Sequence, residues 1–113
     1  MKRFVIVRLQ FEGVHHWNDC PHEDVEFLRY AHRHVFHVEA TKEVRHNDRD
    51  IEIVRFKRSI KDYIEEFFYE DIEELYLGDQ SCEMMAEEIL KKFDCQKVRI
   101  LEDNENGAEI QKD

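Results

Sequence analysis

Three features of the sequence predict an α+β fold, an antiparallel sheet with two helices on one face in the order β-β-α-α-β-β. Two segments, Arg3 to His15 and roughly Ala31 to Val44, alternate apolar and polar residues with a period of two. The period lengthens to that of a helix after Ile53 and again from Cys82. Strand-like alternation then returns at Lys97. One Pro and three Gly in 113 residues leave little room for a flexible linker, so a single domain over residues 1–113 is expected.

In the first strand the odd positions Val5, Val7, Leu9, Phe11, Gly13 and His15 form the apolar face, and Arg8, Gln10 and Glu12 suit the wetter one. The segment from His16 to Arg29 breaks this period and is expected to connect the strands, with a short helix opening near Pro21. Its acids Glu23, Asp24 and Glu26 then lie near a helix N-terminus, where the peptide dipoles favour them. In the second strand the even positions His32, His34, Phe36, Val38 and Ala40 share one face, and His46, Asn47, Asp48 and Asp50 mark a turn. The first long helix should turn Phe56, Ile60, Tyr63, Ile64 and Phe67 inward. The second, Cys82 to Phe93, should bury Met85, Ile89 and Phe93, with Ser81 as its N-cap. Lys97 to Glu102 is strand-like, Asn106-Gly107 is a turn signal, and Ala108 to Gln111 is a short final strand.

Seventeen basic against 27 acidic residues give a net charge of −10. Nucleic-acid binding is disfavoured, because displacing counterions from a phosphate backbone needs clustered Lys and Arg. Cys20, Cys82 and Cys95 share no CxxC spacing, so a disulfide framework is not expected and a reducing cytoplasmic interior is. No signal-peptide core and no apolar run of about 18 residues is present, so no membrane partner is expected.

Three of the seven histidines stand out by position. His32 and His34, two apart on a strand, project from one face about 6–7 Å apart at Cα, and His15 ends the apolar face of the first strand. If the strands pair, three imidazoles can meet one metal ion and leave a fourth position for water or substrate, the usual arrangement of catalytic zinc. Hydrogen-bonded histidines at a sheet end are the competing reading. Trp17, beside this group, either fills the core or stacks on a flat ring at the mouth of a site. Cys82 is either a small buried residue or a thiol with a lowered pKa at a helix N-terminus. His22, His37 and His46 carry no informative spacing.

Phe11-Glu12-Gly13-Val14-His15 resembles the F-x-A-A-H opening of 6-pyruvoyl-/6-carboxytetrahydropterin synthases. His32-Arg33-His34-Val35-Phe36 resembles their H-G-H-x-[YF] element, and Ile51 to Lys57 is similar to V-x-D-F-x-x-L-K with Glu52 in the Asp position. Ser81-Cys82-Glu83 followed by Ala86 resembles P-T-x-E-x-x-A, and Val98 to Ala108, with Glu102, looks like their closing strand. The resemblance runs in order over nearly the whole chain. It implies a tunnelling fold closed by several subunits, here a trimer or hexamer. It also implies zinc on His15, His32 and His34, and a pterin-, guanine- or purine-like ligand held by Glu102, with Glu83 nearby. A carboxylate can accept two N–H bonds from an amino-pyrimidinone edge.

The chain departs from the family where protons move. Leu28 stands where the family has its Cys, and Ile72 to Leu77 occupies the place of its Asp-His pair. Cys20, Glu73 and Glu74 are the candidates for rearranged catalytic roles, though Glu74 needs a large pKa shift to serve as a proton shuttle near neutral pH. Two functions remain: a binder that sequesters a pterin or a nucleotide-like signal, and a zinc-dependent lyase.

Overall fold

The computed structural model describes residues 1–113. In chain order the elements are β1 (Arg3–His15), a 3-10 helix (Glu23–Arg29), β2 (His32–Val44), α1 (Ile53–Tyr63), a π-helical turn (Ile64–Phe68), β3 (Tyr76–Gly78), α2 (Cys82–Phe93), β4 (Lys97–Glu102) and β5 (Asn106–Gln111). They build an α+β fold on one five-stranded sheet, ordered β3-β1-β2-β4-β5.

The two alternating segments pair along their full length, from Arg3 opposite Val44 to His15 opposite His32. Because side chains alternate across a strand, this register puts Val7, Leu9, Phe11 and His15 on the same face as Ala40, Val38, Phe36 and His32. β4 and β5 extend that face antiparallel with Val98, Ile100, Ala108 and Ile110. Phe56, Ile60 and Ile64 from the first helical stretch and Met85, Ala86 and Ile89 from α2 pack on it in one core cluster. Glu52 caps α1 by accepting from the Val54 and Arg55 amides at 2.9 and 3.1 Å. Ser81 caps α2, its Oγ accepting from the Met84 amide at 3.1 Å.

Three expectations are corrected. The sheet is mixed and the order is β-β-α-β-α-β-β, because β3 inserts parallel to the end of β1. Val14 donates to the Leu75 carbonyl at 2.9 Å and His16 to the Gly78 carbonyl at 3.1 Å. Leu77, fully buried, lies over Gly13, where any Cβ would collide with it. Three residues are too few for alternation to be read from sequence.

Phe67 faces outward at 59% exposure, and Phe68 is buried instead. The π turn Ile64–Phe68 adds a residue to the helical repeat, which moves the inward phase on by one. The final turn is made by Asp103 and Asn104, with φ of 53° and 59°, and closes through the Glu105 amide to the Glu102 carbonyl at 2.9 Å. Two successive left-handed residues match the twist of a hairpin, and Asp and Asn tolerate them. Asn106 and Gly107 therefore begin β5, where a side chain at 107 would strike the Ile100 carbonyl. The connection before β2 coils as a 3-10 helix over Glu23–Arg29, starting two residues beyond Pro21.

β1 meets β3 only at Val14 and His15, so the rest of its outer edge is unpaired, and β5 forms the opposite edge. On the sheet face away from the helices, Phe4 and Ile6 are exposed at 41% and 55%. All three cysteines are free and buried. No helix is long and apolar enough to cross a membrane.

Candidate metal centre

The apolar face of the sheet ends in polar groups. His15 lies opposite His32 in the β1–β2 ladder, His34 opposite Gly13, and Glu102 opposite Phe36 in the β2–β4 ladder. One nitrogen from each of His15, His32 and His34 and one oxygen from Glu102 fall within 4.8 Å of one another, a group that could hold a metal ion. The imidazole centroids are 4.6 Å (His15–His32), 5.4 Å (His15–His34) and 5.1 Å (His32–His34) apart. Gly13 contributes no side chain between Phe11 and His15, so Leu77 closes over the strand there.

Each imidazole is held from behind. His15 Nδ1 donates to the Gln80 carbonyl at 2.7 Å, His32 Nδ1 to the Tyr30 carbonyl at 2.8 Å, and His34 Nδ1 to the Asp103 carboxylate at 2.7 Å. An acceptor behind Nδ1 fixes the hydrogen there and leaves the Nε2 lone pair facing inward, the tautomer that a metal ligand needs. His15 Nε2 and His34 Nε2 lie 3.2 and 2.8 Å from Glu102 Oε2. Two imidazole lone pairs and a carboxylate cannot face one another at these distances without positive charge among them. A proton or a metal cation must supply it. Three imidazole nitrogens and one carboxylate oxygen form a donor set suited to zinc and neighbouring divalent ions.

The local pKa shifts follow the same geometry. Burial opposes charge on His15, but the hydrogen bond to Glu102, aided by the Gln80 carbonyl, outweighs it and raises the imidazole above its ordinary 6.5. Burial lowers His32, and the neighbouring imidazoles add to that. The His15 hydrogen bond holds the Glu102 carboxyl below its usual range against the effect of burial. His34 and the Val35 amide do the same for Asp103.

A cavity of about 420 Å³ opens beside the cluster, bordered by His15, His32, Glu102, His16, Trp17, Asp79 and the start of α2 from Ser81 to Met84. Trp17 is 42% exposed and lines this cavity, so it does not fill the core. Glu83 also lines it. Cys82 does too, but burial pushes its thiol up to about 12, the reverse of an activated thiol. The remaining catalytic candidates are not brought here. Cys20 is fully buried with Sγ against the His22 and Val25 carbonyls, and Glu73 and Glu74 are exposed in a turn whose amides meet the Asp71 carboxylate.

Sequence reasoning missed the groups behind the rings. Asp103 sits beyond a strand end with no pattern to mark it, and the Gln80 and Tyr30 acceptors are main-chain atoms that carry no residue signal. Asp103→Asn keeps a residue that tolerates φ of 53° but removes the charge behind His34. It is expected to weaken metal binding at this centre about tenfold with the fold intact, as read by chelator competition and circular dichroism. No protein-family model and no curated protein matches this sequence, so the centre stands on its own geometry.

Proposed function

We propose that the protein is a zinc-binding relative of the tunnelling-fold tetrahydropterin synthases that holds a pterin-, guanine- or purine-nucleotide-like ligand without the family's Cys/His catalysis. The observation that carries this reading is the meeting of one nitrogen from each of three imidazoles with a Glu102 oxygen, with an acceptor behind the Nδ1 of every imidazole. His15, His32 and His34 hold the zinc. Glu102 borders both the donors and the cavity, where its carboxylate can complete the coordination or accept N–H groups from a ring edge. Trp17 offers a flat apolar wall. Metal analysis of the purified chain should find about one zinc per chain, and the zinc-loaded protein should bind a pterin or guanine compound. Absence of metal both on purification and after zinc reconstitution would overturn the reading.

The positions of Cys20, Glu73 and Glu74 away from the cavity favour a binder or a sequestering protein over a lyase. One observation supports the enzyme reading: His16 lines the cavity outside the donor set, and its Nδ1 lies 3.0 Å from the Tyr76 hydroxyl. Conversion of dihydroneopterin triphosphate is expected to be undetectable. Turnover that disappears in His16→Ala would establish the enzyme instead.

The same proposal includes a closed trimer or hexamer. The open β1 and β5 edges and the exposed Phe4 and Ile6 support it, since unpaired edges are templates for further strands. With −10 per chain, association should strengthen as salt screens repulsion. Sedimentation showing a monomer at micromolar concentration in moderate salt would remove the ring but leave the metal centre, which lies within one chain.

A further inference from the structure

The charges around the cavity narrow the ligand, given the metal-site reading above. We propose that this cavity selects an unphosphorylated ligand, a neutral or cationic ring that presents N–H donors. Asp79, Glu83 and Glu102 line it, and no Lys or Arg does. Even with a divalent ion on the histidines, three carboxylates leave the surroundings net negative. A phosphate ester would add like charge in a partly enclosed space, where water screens it less than at an open surface.

The groups that could offset this repulsion are engaged elsewhere. Arg29, next in sequence to the cavity-lining Leu28, donates from Nε and Nη2 to the Cys20 carbonyl at 2.9 and 2.7 Å. Arg33 pairs with Glu12 on the other side of the sheet. The Gln80 side-chain amide donates to the Phe68 carbonyl at 3.2 Å, away from the cavity. The start of α2 would ordinarily attract an anion, but Glu83 in its first turn already occupies that potential. Carboxylate acceptors and an apolar wall of Trp17, Leu28 and Met84 are what remain. A flat ring bearing amino or imino N–H groups satisfies both, with its faces on the wall and its edge on the acids.

Guanosine and guanosine 5′-monophosphate test this directly, since they share a ring and differ in the phosphate. Titration calorimetry on the zinc-loaded protein at moderate salt should show guanosine binding at least about tenfold more tightly than the monophosphate. The double substitution Asp79→Asn/Glu83→Gln should narrow that gap while zinc content, measured on the same samples, stays unchanged. Equal or tighter binding of the monophosphate, including binding through its phosphate to the metal, would overturn the proposal. Failure of both compounds to bind would overturn it as well. A zinc-free sample after reconstitution would instead sink the metal reading on which the proposal rests.

Discussion

His34→Ala is expected to weaken zinc binding by at least about a hundredfold. A four-donor structural zinc site has an apparent binding free energy of about 10–16 kcal/mol, roughly 3 kcal/mol per donor, and each 1.4 kcal/mol is a factor of ten. The substitution also removes the imidazole that faces the Asp103 and Glu102 carboxylates at 2.7 and 2.8 Å. His32→Ala should behave alike with less effect on Glu102. Chelator competition reads the affinity, and unchanged binding in both variants would show that the histidines are not ligands.

The metal-free and metal-loaded proteins should also respond to pH in opposite directions. With metal bound, protons compete for Nε2. The raised pKa of His15 means that proton competition starts to weaken zinc affinity at a higher pH than an ordinary imidazole would allow, while His32, lowered, resists protonation to more acidic pH. Without metal, His15 protonated against Glu102 stabilises the fold. That contribution is complete below 6.5 and is lost as pH rises through the raised folded value. The Glu102 contribution is complete above 4.5 and is lost as pH falls through its lowered folded value. His32 opposes the gain in part, since its depressed pKa favours the neutral ring. The zinc-free protein should therefore be stabilised by the His15–Glu102 pair most fully between about pH 4.5 and 6.5, and the zinc-loaded one above that range. Thermal melts with and without zinc across this range check the crossing, and parallel curves would refute it.

What could be read from sequence follows from how many residues carry each signal. Uninterrupted alternation over thirteen residues shows which face each residue of the two strands takes, so His15, His32 and His34 read as lying on apolar faces, while their meeting depends on the strands pairing in the register of the fold. α2 is legible as Cys82 to Phe93 with Ser81 as its N-cap, and the left-handed Asp94 that ends it is a feature of the fold. The three residues of β3 gave no period. The π turn at Ile64–Phe68 changed the phase of an otherwise regular helix, and sequence periodicity cannot show an i+5 step. Asn106-Gly107 looked like a turn because its residue types suit one, but Asp103-Asn104 suit it equally, and the β4–β5 register favours the earlier pair. Glu102 was proposed as a ligand anchor through the family resemblance. Its approach to both His15 and His34 depends on the β2–β4 register that sets Phe36 opposite Glu102, which only the fold supplies.

The core and the metal centre meet in one side chain, Phe36. It is fully buried, stacks on Phe11 at 5.1 Å with 16° between planes, and its ring sits edge-on to His15 at 5.3 Å and to His34 at 5.8 Å. Phe36→Ala should cost about 3–5 kcal/mol, a large fraction of the stability of a domain this size. It should also loosen the two imidazoles that the ring buttresses, so intrinsic zinc affinity falls as well. Ile60→Ala is the comparison. Ile60 is equally buried on α1, and its loss should cost about 2–5 kcal/mol without touching the histidines. Zinc at about a hundred times its dissociation constant adds about 2.7 kcal/mol to a native state that binds it normally. Saturating zinc should therefore restore most of the melting temperature of Ile60→Ala, while the same zinc concentration restores less of that of Phe36→Ala. Equal rescue of the two variants would mean that the aromatic packing supports the fold alone and leaves the centre to hold its own geometry.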